Sequence, residues 1–116
     1  MGKQKKATPE TYQVRIADNA LRNIDEITGY ISFINLEPHN AIKVGDEIIS
    51  TIKRIGQHPY AFRECDELAT KAKMYRRAIC LSWLIVYKIF DSEVIILGVI
   101  HSFRKPSGIK ALRKIK

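Results

Sequence analysis

The stretch that decides the fold is Met74-Tyr75-Arg76-Arg77-Ala78-Ile79-Cys80-Leu81, then Trp83-Leu84-Ile85-Val86-Tyr87-Lys88-Ile89-Phe90, and then Val94-Ile95-Ile96-Leu97-Gly98-Val99-Ile100-His101. Rich in β-branched and aromatic residues, these three runs predict three strands. Asp91-Ser92-Glu93 is a short polar turn, so the last two strands form a hairpin. The run from Val94 to Ile100 is apolar at nearly every position, as expected of a strand covered on both faces or central in its sheet. It is far too short to span a bilayer, and no membrane partner is expected.

A sheet of this kind needs helices to cover it, and the first half of the chain supplies them. Tyr12-Gln13-Val14-Arg15-Ile16 alternates apolar and polar, which predicts a short strand with one buried face. Asp18 stands where an N-cap belongs, and Leu21, Ile24, Ile27, Ile31 and Ile34 then make one apolar stripe along a helix over about 19–35. Leu36-Glu37-Pro38 is a break, with Pro38 suited to the first turn of a second helix. Ala41, Val44, Ile48, Ile52 and Ile55 give that helix its stripe, and Gly56 is its expected stop. Helices joined by so short a link predict an antiparallel hairpin. The segment around Pro59 and Glu64-Cys65-Asp66-Glu67 is expected to be a loop. After the last strand, Ile109, Leu112 and Ile115 have helical spacing among lysines and arginines. The expected fold is α+β: an N-terminal strand and a helical hairpin packed on a mostly antiparallel sheet, with a short C-terminal helix.

At 116 residues the chain holds one domain, expected over 11–116 behind a flexible basic leader over 1–10. A hydrophobic share of 46% beside 28% charged residues excludes a disordered chain. Met1-Gly2-Lys3-Gln4-Lys5-Lys6 has no apolar run behind it, so no signal peptide is expected and the setting is read as cytoplasmic. There Cys65 and Cys80 are expected as reduced thiols; nothing near them has metal-ligand spacing, and no cofactor is expected. The net charge of +8 is concentrated at the ends. Lys3, Lys5 and Lys6 sit at one end, and six cations with no acid run from Arg104 to Lys116 at the other. The middle carries 11 bases against 12 acids. Such a basic end suits phosphates or an acidic partner, and equally suits a solvated tail.

The ordered set Tyr75-Arg76-Arg77, Ile85-Val86-Tyr87 and Leu97-Gly98-Val99-Ile100-His101-Ser102-Phe103-Arg104 resembles the RelE/ParE superfamily of toxins. These often show an aromatic with basic residues opening a strand, an "IVY" strand after it, and a closing pattern like "LxHxxR". Asn40-Ala41-Ile42-Lys43 and His58-Pro59 add to the resemblance, which covers about 11–106. It implies the toxin of a type II toxin–antitoxin module, with a cognate antitoxin as partner in a hetero-oligomer. It also implies one of two targets: the ribosome with messenger RNA, which RelE-like members cut, or DNA gyrase, which ParE-like members inhibit.

RNA cleavage would have a ribose 2′-hydroxyl attack the adjoining phosphate, which requires proton transfer and a cation on the phosphate. Arg77, Tyr87, His101 and Arg104 are the candidates for that work, with Arg77, His101 and Arg104 on one sheet face. Arg104 stands where RelE-like toxins place a phosphate-binding arginine. Against this, RelE-like nucleases typically carry an active-site arginine just before the strand's "LVY" segment, and here that residue is Leu84. Whether the chain is an enzyme is therefore left open, with the resemblance leaning to ParE. Tyr87 and His101 also have a plainer reading as core residues with satisfied polar atoms. For the antitoxin, an amphipathic helix or extended segment along the hairpin and sheet edge is expected, its carboxylates meeting Arg104, Lys105, Lys110, Arg113 and Lys114. The alternative for the tail is that Ile109, Leu112 and Ile115 close the chain's own core. Two other classes stand beside the toxin. One is an inactive homologue that only binds an antitoxin. The other is a general nucleic-acid-binding domain, disfavoured because the sequence offers no exposed aromatic ladder with interleaved bases.

Overall fold

Strands β4 (Trp83–Phe90) and β5 (Glu93–His101) form the expected hairpin, with Asp91 and Ser92 as its two loop residues. The computed structural model describes residues 12–116, so the leader expected over 1–10 lies outside the described residues. Strand β3 (Tyr75–Cys80) joins β4 through an equally tight turn at Leu81-Ser82. Strand β1 (Gln13–Ile16) lies parallel to β5, and β2 (Arg63–Glu64) lies antiparallel to β3. The sheet therefore runs β1-β5-β4-β3-β2, with every pairing antiparallel except the first. Residues 94–100 are all buried, as the continuous apolar run implied.

Each face of β4 and β5 has its own cover. Ile85, Tyr87, Ile89, Val94 and Ile96 meet the helical hairpin, where Ile48 and Ile55 are wholly buried. Leu84, Val86, Ile95 and Leu97 face the other way, against Leu68 and the C-terminal residues Ile109 and Leu112. That segment is α3 (Pro106–Lys110), continued by a 3-10 turn over Ala111–Lys114. Ile109 and Leu112 thus close a second core of the chain itself, and their lysine and arginine neighbours stay exposed.

The hairpin consists of α1 (Asp18–Gly29) and α2 (Pro38–Gln57). Three local expectations are corrected. Ala17, not Asp18, holds the capping position and makes no side-chain bond; Asp18 is the first helical residue, where its charge favours the helix dipole. Helix α2 runs through a buried Gly56 to Gln57 and ends as His58 leaves helical geometry before Pro59. Beyond Gly29, α1 widens into a π-helical segment, Tyr30–Ile34. The wider turn breaks the 3.6-residue period, so Ile31 is buried while Ile34, next in the stripe, is 64% exposed.

Strand β1 pairs only with Glu93–Ile96, leaving the rest of the β5 edge to α1. There Asn19 Nδ2 donates to the Leu97 carbonyl at 3.0 Å, and the Val99 amide donates to Asn23 Oδ1 at 2.9 Å. A bulge at Leu97, the residue skipped between partners Gly98 and Ile96, turns these groups toward the helix. Gly98 is needed here, because a Cβ on it would lie 2.9 Å from Leu112 Cδ2 and 3.2 Å from Asn23 Oδ1.

Candidate functional site

Alternation along paired strands fixes where each candidate side chain points. Trp83, Ile85 and Tyr87 of β4 project toward the helical hairpin, and His101, paired with Trp83, projects with them. In β3, Ala78 and Cys80 face the hairpin, so Arg77 shares the opposite face with Tyr75. Arg77 and His101 therefore stand on opposite faces of the sheet. The expected single-face site of Arg77, His101 and Arg104 is not assembled.

Tyr87 is corrected as well. Its side chain is fully buried, and its hydroxyl donates to the Pro59 carbonyl at 2.5 Å. Burial drives the phenol pKa well above its ordinary value, which the Arg76 charge opposes only in part. Such a hydroxyl is a structural tie between β4 and the end of α2. Leu84 lies in the second core at 3% exposure, so the position where an arginine is typical here fills space between sheet and α3.

His101 is exposed at the end of β5, and its Nδ1 accepts from the Phe103 amide at 3.2 Å. In its neutral form the proton is then on Nε2. Trp83 meets it edge-on with ring centroids 6.4 Å apart, and Phe103, 87% exposed, lies over it at 5.3 Å. Beside these rings an open groove of about 600 Å³ runs between hairpin and sheet, lined by Ile27, Tyr30, Val44, Leu81, Trp83 and His101. The sequence pattern gave no warning of this aromatic group: Trp83 and His101 are 18 residues apart and meet only through the hairpin register.

The basic residues divide. Arg104 closes the turn after β5, its amide donating to the His101 carbonyl at 2.9 Å and its stem lying across Gly108, where a Cβ would be 2.8 Å from Arg104 Cγ. Arg113 stacks over the Tyr75 ring at 5.4 Å, and Lys88 approaches the same ring at 5.9 Å. With Arg77 they give the face opposite the hairpin a cationic patch around the buried Tyr75 ring. Lys105, Lys110 and Lys114 are exposed on the C-terminal segment. Arg76 is internal to the fold: its guanidinium donates to the carbonyls of Lys73, Tyr60 and Phe62 at 3.1, 3.3 and 2.9 Å.

Residues 14–106 match the family model for the ParE toxin of the type II toxin–antitoxin system parDE. The chain belongs to the ParE toxin family. A structure of the chromosomal ParDE toxin–antitoxin system from P. aeruginosa superimposes with a TM-score of 0.62, at 16% identity over 79% of this chain and 97% of that one. The toxin–antitoxin complex RelBE2 from Mycobacterium tuberculosis gives 0.53, at 18% identity over 84% and 99%. No curated protein matches. The ParE match ends at Pro106, where the segment that closes the second core begins. This ParE-family chain is thus the toxin component of a type II module, and an antitoxin is its partner. Among the described residues no helix is long and apolar enough to cross a membrane, and no cluster of His, Cys, Asp and Glu is placed to hold a metal.

Proposed function

We propose that this toxin arrests growth by inhibiting DNA gyrase in the cytoplasm, without cutting nucleic acid, until a cognate antitoxin masks it in a hetero-oligomer. One observation carries the reading: the side chains that RNA cleavage would need do not converge. Arg77 and His101 occupy opposite sheet faces, Tyr87 is sealed in the core, and Leu84 holds the position of the usual arginine. A proton acceptor and a phosphate-binding cation must lie within hydrogen-bond reach of the same phosphodiester. The exposed groove with its aromatic rim is a surface for protein contact, where rings and apolar side chains contribute most of the affinity.

Induced expression without antitoxin, followed by sequencing of message ends and a purified gyrase supercoiling assay, tests this. Blocked supercoiling with intact message is the expected result. The competing reading, ribosome-dependent cleavage, draws on His101, whose Nε2 has no hydrogen-bond partner among the described residues, and on the neighbouring Arg104. New message ends that vanish with Arg104→Ala would establish it and overturn ours. Antitoxin binding with neither effect would make the chain a binding module alone.

A further inference from the structure

Helices α1 and α2 enclose a groove of about 600 Å³ that is lined by the hairpin alone, with no sheet residue in its walls. Gly29 of α1 and Gly45 of α2 line it. Both are helical, and neither has a positive φ. A Cβ on Gly29 would meet nothing within 4 Å beyond its own turn of helix, and one on Gly45 would make only an ordinary 3.6 Å contact with Thr28 Cγ2. A glycine inside a helix weakens it relative to alanine. With no steric demand from this chain behind either, the two glycines leave helix backbone bare for a close approach from outside. Phe33 and Ile42, 77% and 61% exposed, line the same groove. Asp25 and Asp46 line it too, and among the described residues no lysine or arginine does. Neither carboxylate has an ion pair among the described residues. This part of the hairpin carries Asp25, Glu26, Glu37 and Asp46 against Lys43, in a chain whose net charge is +8.

We infer that this outer groove receives a basic amphipathic helix of the toxin's target, its apolar face on Phe33 and Ile42 and its cations on Asp25 and Asp46. A helix laid in a groove takes its affinity from apolar anchors at helical spacing, and the bare glycine backbone lets it seat closely. Charge selects the occupant. A second copy docked hairpin to hairpin would set Asp25 and Asp46 against their own counterparts. An acidic antitoxin segment would meet the same repulsion here, while the cations of the C-terminal segment attract it. The inference rests on the gyrase reading above and names a surface for that target apart from the groove beside Trp83.

The test uses the full toxin, intact gyrase and the protein encoded beside the toxin that restores growth on co-expression. Gly29→Ala should raise the melting midpoint by about 4 °C, since helix propensity improves and the Cβ has room. Gly29→Gln should also fold, yet fill the groove and raise the toxin concentration for half-inhibition of supercoiling about tenfold or more. Phe33→Ala should raise it about ten- to a hundredfold, the range for an interface anchor. Asp25→Lys combined with Asp46→Lys should weaken inhibition about tenfold through like-charge contact. All of these variants should bind the antitoxin as wild type does. If Gly29→Gln fails to fold, Phe33→Ala decides, because a side chain so exposed contributes little to the core. Folded variants that inhibit gyrase as wild type does would overturn the inference while leaving the gyrase reading intact. Loss of antitoxin binding in the folded variants would assign the groove to the antitoxin and overturn it also. A toxin dimer that Gly29→Gln dissociates would assign it to a second copy, with the same consequence. Wild-type toxin that leaves supercoiling untouched would remove the gyrase reading and this inference with it.

Discussion

Tyr87 and Cys65 show how single buried groups tie the stability of this chain to pH. The Tyr87 hydroxyl reaches across to Pro59, so Tyr87→Phe leaves that carbonyl without its donor; the expected cost is about 1–3 kcal/mol, measured as a shift in denaturant midpoint. Burial, then the adjacent Glu67 carboxylate, push the Cys65 thiol up to about 11 from an ordinary 9.0. The folded state thus holds this proton more tightly than the unfolded chain. Stability from it is complete below about pH 9 and is lost as pH rises toward about 11. A melting series across that window should show wild type losing more stability than Cys65→Ala; parallel slopes would remove the thiol from the account. Leu81 illustrates a different kind of cost. It turns the β3–β4 hairpin with a φ of 56° and 58% exposure, a backbone region where a side chain is disfavoured. Leu81→Gly is expected to be neutral or to stabilise the free toxin by up to about 1 kcal/mol. Because Leu81 lines the groove beside Trp83, the same change should weaken toxicity or antitoxin binding. A stabler toxin of undiminished potency would show that the strained leucine has no role in contact.

Among the elements, those that bury a periodic face were legible and those made by tertiary pairing were not. The stripe Ala41–Ile55 implies a helical period and is buried as a face, and the run Val94–Ile100 reads as a strand by its β-branched composition and length. The alternation of Tyr12–Ile16 marks β1, although Val14 is 38% exposed and that strand has no fully buried face. Strand β2 has two residues, too few for any period, and exists because β3 offers it an edge. The π-helical end of α1 likewise has no signature in Tyr30–Ile34, whose apolar residues continue the pattern they then leave. The candidate site was less legible still. Strand parity within one run can be counted, but which face of β5 matches which face of β3 depends on register and on the bulge at Leu97. That separation of Arg77 from His101 undid the single-face reading. The helix that covers the β5 edge invites its own test. Asn23→Ala would leave the Val99 amide at a partly buried edge without its acceptor, and should cost about 1–3 kcal/mol. Hydrogen exchange should localise the loss to Val99 and its neighbours, whereas uniform acceleration would mean the bond serves the whole fold equally.

For the molecule as a whole, the two readings of toxicity differ in stoichiometry. A nuclease turns over, so a trace of toxin would clear a large excess of message, and loss of one proton-transfer group would lower its rate by about 100-fold or more. A toxin that acts by occupying its target must be present in proportion to it. On the gyrase reading proposed above, the exposed groove, the aromatic rim and the open edge of β3 would be the surfaces that occupy the target. Supercoiling by a fixed quantity of gyrase should therefore fall in proportion to added toxin and level off near one toxin per binding site. His101→Ala should shift that titration by trimming contact area, not abolish it. Purified antitoxin should restore supercoiling as it reaches equivalence with the toxin. A steep loss of activity at toxin far below the gyrase concentration would instead indicate turnover, and would require a reacting site that the separation of Arg77, Tyr87 and His101 argues against.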